Sequence, residues 1–188
     1  MIPTRENAWS LLNEYTKTPS LLKHAIAVEA AMRAYARQYG EDEELWAATG
    51  LVHDLDYEQH PTADEHPLAG VAILEERGWP AVVIEAVKGH ATYLKVPRTT
   101  LMARTLFAVD ELTGLVSACV LVRPDRSITS LQARSVRKKW RDKAFARGVN
   151  REDIETGASE LGVDLTAHIT FVIEALKPIA DALGLSGR

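Results

Sequence analysis

Apolar residues recur along this chain at helical spacing, and that period is kept almost throughout. Trp9, Leu12 and Tyr15 predict a first helix over residues 4 to 16, with Thr4 as its cap. Pro19 and Ser20 open a second, with Leu21, Val28, Met32 and Tyr35 as apolar positions and Gly40 as its end. Asp42 caps a third, which runs through Leu45, Trp46, Ala48 and Val52 to His53. Residues 66 to 77 predict a fourth, closed by Gly78. Pro80 suits the first turn of a fifth, in which Val83, Ile84 and Val87 lead to His90. A long helix spans residues 99 to 122, its buried side lined by Leu101, Leu106, Val109, Leu112 and Leu115, and Pro124 stops it. Helical patterns continue over 129 to 147, over 151 to 161 behind Asn150, and over 164 to 184, where Pro178 should kink or divide the last one. Residues 55 to 65 and 91 to 98 read as loops. No stretch alternates as a strand would, and neither a repeat nor an interdomain linker interrupts the pattern. The fold class is all-α, with the 188 residues forming one domain.

Composition changes this picture little. A net charge of −4 argues against nucleic-acid binding by the surface as a whole, so no stable nucleic-acid partner is expected. The one cysteine, Cys119, lies in an apolar run and reads as a small buried hydrophobe, in keeping with a reducing cytoplasm. The longest nearly apolar stretch, Leu112 to Val122, falls short of the roughly 20 residues needed to span a bilayer, so no membrane partner is expected either. Met1 is followed almost at once by polar residues, Pro3-Thr4-Arg5-Glu6-Asn7, which is not the pattern of a secretory signal.

The polar residues that interrupt the apolar faces are more informative. His24 sits one turn before Val28, on the inward side of its helix. His53 and Asp54 stand side by side at the end of the third helix, His66 and His90 follow, and Asp110 is embedded in the long sixth pattern. Carboxylates buried without partners cost several kcal/mol or become protonated. Several helices that each turn such groups inward are better explained by a shared cation. Imidazole nitrogen and carboxylate oxygen suit iron, manganese, zinc, nickel or cobalt, with magnesium a further candidate.

In the order His24, His53-Asp54, Asp110, these residues resemble the HD superfamily of metal-dependent phosphohydrolases. His66 and His90 are similar to the extra histidines of members that hold two metals. The adjoining Leu55-Asp56-Tyr57-Glu58 and Glu65-His66-Pro67 resemble a small, compact HD subgroup. The resemblance covers residues 20 to 120, which makes residues 124 to 188 a C-terminal helical extension on an HD-like core. It implies one or two divalent ions and a small phosphorylated substrate, a nucleotide among the candidates. It implies hydrolysis by a metal-activated water. His24, His53, Asp54 and Asp110 are then the first ligand set, and His66 and His90 share Asp54 as the second. An HD-type di-iron oxygenase could use the same six residues, and a non-enzymatic nucleotide-binding module is a third class.

Asp54 is expected to serve catalysis as well as the metal. Asp56, Glu58 and Glu65 follow it in a polar loop, where they are candidates for proton transfer or support of the reacting water. Arg123 to Arg151 carries ten Lys or Arg residues against Asp125 and Asp142. Arg137, Lys138, Lys139 and Lys143 in that segment, and Lys88 and Arg104 near the ligand candidates, are expected to contact a substrate phosphate. His60 and His168 read as surface or structural residues.

Overall fold

The computed structural model describes residues 3–142 and 144–187. Among them regular structure is helical, apart from one isolated bridge between Ser127 and Ser186. The fold is all-α. The chain forms two compact units, Met1–Phe107 and Ala108–Arg188. None of the described helices is long and apolar enough to cross a membrane.

The first unit opens with α1 (Arg5–Tyr15), where Thr4 and Asn7 form a capping box. α2 (Pro19–Tyr39) starts on Pro19 and ends on Gly40, whose left-handed φ of 72° is open to glycine at no steric cost. α3 (Glu43–Val52) is capped by Asp42, which accepts from the amides of Glu44 and Leu45. α2 and α3 cross very closely, and Gly50 is the reason. A Cβ there would stand 2.8 Å from the Glu29 nitrogen and 2.9 Å from its Cα. Val28, Met32 and Tyr35 of α2 and Trp46, Ala47 and Leu51 of α3 are buried around that crossing. α4 (Leu68–Glu76), α5 (Ala81–His90) and the start of α6 (Leu101–Leu121) complete the unit. α4 begins two residues later than the sequence pattern predicts, and Pro80 serves as the N-cap of α5.

α6 runs on into the second unit, which adds α7 (Ala133–Lys139), α8 (Arg151–Leu161), α9 (Leu165–Leu176) and α10 (Ala180–Leu183). Pro178 lies in the 3-10 turn that divides α9 from α10, as its missing N–H requires. The helix expected over residues 129 to 147 is reduced to the seven residues of α7. Beyond it, the Asp142 carboxylate accepts from the amides of Ala144 and Phe145, and Ala146 takes a left-handed φ of 46°. This local side-chain bonding competes with the helical ladder. Cys119 is buried, and burial pushes its thiol up to about 11.

His168 of α9 is buried, and its Nε2–H donates to the Ala108 carbonyl at 2.9 Å. Burial pushes its pKa below the usual value, and the hydrogen bond to Ala108 works the other way. The unfolded chain therefore takes up this proton first as pH falls. The neutral-imidazole contribution to stability is complete above the unfolded pKa of about 6.5 and is lost below it. His168→Gln keeps a donor and does not titrate. In urea unfolding, the stability of the parent relative to His168→Gln is expected to fall between pH 7 and pH 5, and a constant difference would show that His168 is not held neutral.

Candidate metal centre

Helix ends deliver the imidazoles. His53 is the residue on which α3 ends, and its Nδ1–H donates to the Gly50 carbonyl at 2.8 Å. His90 is the last residue of α5, and its Nδ1–H donates to the Val87 carbonyl at 2.6 Å. The carbonyl three residues back is free at the end of a helix, and a carbonyl can only accept. Each ring is thereby fixed in the tautomer that leaves Nε2 as an electron-pair donor. His66 precedes α4, after a cis bond to Pro67 on its C-terminal side, and its Nδ1–H donates to Asp56 Oδ1 at 2.9 Å. It too turns Nε2 inward. His24 comes from the middle of the first half of α2.

All four Nε2 atoms face one carboxylate. Asp54 Oδ2 lies 3.7 Å from His24 Nε2 and 3.4 Å from His53 Nε2. Asp54 Oδ1 lies 3.4 Å from His66 Nε2 and 3.3 Å from His90 Nε2. The two oxygens thus serve two different histidine pairs. The ring pairs stand with centroids 5.2 Å apart for His24 and His53 and 5.2 Å apart for His66 and His90.

These separations exceed the roughly 2.7–3.2 Å of an N–H···O bond. The three at 3.3–3.4 Å match two ligands of one ion, and the 3.7 Å of His24 lies just beyond, since atoms each about 2.1 Å from a metal stand roughly 3.0–3.6 Å apart at ordinary coordination angles. Ligand atoms of His24, His53 and Asp54 lie within 4.8 Å of one another, as do those of Asp54, His66 and His90. His66 Nε2 and His90 Nε2 approach to 3.3 Å. Electron pairs that converge so closely need a cation among them, either protons or a metal. The donor set therefore fits a divalent ion on each side of Asp54. Burial pushes the Asp54 carboxyl up, but His53 and His90 in protonated form outweigh it and hold Asp54 well below the usual carboxylate range, so positive charge at these rings, proton or metal, keeps the carboxylate ionised.

A family model for the HD domain matches residues 21–115, half of the 188-residue chain. The chain belongs to the HD domain family. That family is a superfamily of metal-dependent phosphohydrolases, and the match spans His24, His53, Asp54, His66, His90 and Asp110. No solved structure matches the chain.

The first unit of this HD protein brings five of those six residues together. Asp110 is half-buried on α6, three residues beyond Phe107, where the first unit ends. The loop acids have separate positions. Asp56 is buried, with Oδ1 on His66 and Oδ2 accepting the Gly70 amide at 2.8 Å, so both oxygens are engaged within the fold. Glu58 Oε2 accepts from the amides of Lys17 and Thr18, which tie the loop to the start of α2 and hold Glu58 below the usual range. Glu65 is exposed and accepts from His60 Nδ1 and the Thr62 hydroxyl.

The basic candidates are dispersed. Lys88 pairs with Glu75 at 3.2 Å. Arg104 acts electrostatically on the Tyr39 hydroxyl, about 22 Å along α2 from His24 by helical rise. Arg137, Lys138 and Lys139 belong to α7, and the Lys139 ammonium stands 5.1 Å from the centre of the Phe145 ring. Lys143 lies outside the described residues. Two residues have no role in the sequence pattern. The Tyr57 ring meets His66 edge-on at 5.1 Å, and the Tyr93 hydroxyl donates to the His66 carbonyl at 2.7 Å. Both come from predicted loops, where no periodicity marks a tyrosine as special.

Asp56→Ala removes the acceptor that orients His66 and leaves the Gly70 amide unsatisfied, a cost of about 1–3 kcal/mol. Titration with manganese or zinc is expected to show one ion per chain fewer, or the weaker ion bound about 10- to 100-fold less tightly, as for other groups that support ligands. Unchanged metal binding would show that His66 needs no such support.

Proposed function

We propose that this HD domain hydrolyses a small phosphate ester with one or two divalent ions held by His24, His53, Asp54, His66, His90 and Asp110. The observation that carries this reading is the Asp54 carboxylate, with one oxygen facing His24 and His53 and the other facing His66 and His90. His24, His53, Asp54 and Asp110 form the first ligand set. His66, His90 and the shared Asp54 form the second.

A divalent transition ion, or magnesium, supplies a Lewis acid that lowers the pKa of water and polarises a phosphoryl oxygen. The residues prepare for it. The depressed Asp54 carboxyl stays ionised at neutral pH, so it can serve two sides at once. The Gly50 and Val87 carbonyls and the Asp56 carboxylate hold three rings in the ligating tautomer before any ion arrives. Preset rings limit the reorganisation that binding would otherwise require.

His53→Ala and Asp54→Ala are each expected to abolish phosphatase activity and to lower metal content, with the helical circular-dichroism signal retained. Full metal and full activity in either variant would remove this assignment. In the double variant His66→Ala/His90→Ala, one ion per chain should remain, because the first set keeps its protein ligands. Loss of both ions together would instead mark one coupled cluster. The assay is metal analysis of the purified chain, then a phosphate-ester screen with single metals added back. Oxygen uptake with two irons per chain, in place of phosphate release, would make the centre an oxygenase.

A further inference from the structure

The second unit carries a row of cations, two of which, Arg137 and Lys138, the sequence offers as contacts for a substrate phosphate. Arg134, Arg137, Lys138 and Arg141 follow at i, i+3, i+4 and i+7, the spacing of one helical face. All four are exposed, and among the described residues none is joined to a carboxylate. Several arginines elsewhere are paired, Arg5 with Glu29, Arg33 with Glu44, Arg37 with Glu43 and Arg77 with Glu14. Like charges at this spacing destabilise a helix, and α7 is short. A face built this way is stabilised by an anion.

The row, whose last member Arg141 lies two residues beyond the end of α7, lines an open groove of about 590 Å³, together with Trp140 and with Thr166 of α9, and no acid lines it. Trp140 is held in place from α8, its Nε1–H donating to Glu155 Oε1 at 2.8 Å. The Arg137 guanidinium lies 5.4 Å from the indole centre. Arg134 also borders a second opening of about 440 Å³, which follows α9 past Thr170 to Lys177, where Glu174 lines it and pairs with Lys177 at 2.6 Å. By helical rise, Thr166 to Lys177 is about 16 Å. A single phosphate is far shorter than this. A chain with a phosphate on every residue matches the length, and a fixed indole matches a base stacked beside it. The net charge of −4 is an average over the whole surface and leaves such a local face open.

We infer that the groove between α7 and α9 binds single-stranded nucleic acid, with phosphates along the cation row and a base on Trp140. The test is fluorescence anisotropy of the full chain with a labelled oligothymidylate of about eight nucleotides, within the usual site sizes of roughly 4–16. Four phosphate contacts give a slope of about −2.8 for log K against log salt, from about −0.7 per contact on a single strand. Replacement of Arg134, Arg137, Lys138 and Arg141 together by Gln should bring that slope close to zero. Trp140→Leu should leave the slope unchanged and weaken binding about 5- to 150-fold. No binding at low salt, or a slope that survives the four replacements, overturns the proposal. So does an unaltered affinity in Trp140→Leu. Adenosine triphosphate or inorganic tripolyphosphate that competes as well as the unlabelled strand would make this a site for a compact polyphosphate, and the strand proposal fails.

Discussion

Asp54 places a charged carboxylate, with only about a fifth of its side chain accessible, among four imidazole nitrogens at 3.3–3.7 Å. Water cannot screen such a group well, and three of the rings are locked with their electron pairs toward it. Electrostatics therefore demands positive charge at this point. Much of the first unit serves that demand. The crossing of α2 and α3 at Gly50 brings two backbones closer than any side chain would allow, and the same glycine supplies the carbonyl that orients His53. The ends of α3 and α5, where helix dipoles favour cations, are where His53 and His90 stand.

The loop between α3 and α4 shows how like residues come to do unlike things. Asp56, Glu58 and Glu65 are three acids within ten residues. Asp56 lies under the site and directs His66. Glu58 fastens the loop to the amides that precede α2, and Glu65 holds His60 and Thr62. What separates them is burial and the amide or ring each one meets. In Asp56 both carboxylate oxygens are engaged within the fold, one by His66 and one by the Gly70 amide. The Tyr57 ring of this loop meets the His66 ring edge-on, and Tyr93, from beyond α5, holds the His66 backbone carbonyl.

Family membership and side-chain geometry argue for the same chemistry on separate grounds. The HD match stands on sequence pattern over residues 21–115. The Asp54 geometry stands on distances, and a ligand-like spacing would point to a cation without any family. The match ends at residue 115, so most of the second unit owes its reading to its own residues. There a helix of like charges stops after seven residues, as Asp142 and Ala146 turn the backbone away from the ladder.

The helical order, the caps at Thr4, Asp42 and Asn150, the stop at Gly40 and the break at Pro178 were all legible in the sequence. They depend on local periodicity and on backbone preferences that act within a few residues. The six ligand candidates were legible for a related reason: a polar residue on an apolar helical face is conspicuous wherever the chain carries it. The length of α7 was not, because Asp142 offers its bonds only once the backbone has turned. The HD resemblance had implied the sharing of Asp54 between two histidine pairs, but the burial of Asp56 and the placing of Arg104 beside Tyr39 were invisible. Each depends on which residues distant in sequence become neighbours. Packing alone decides that, since the same carboxylate is a solvated loop acid or a ligand according to what surrounds it.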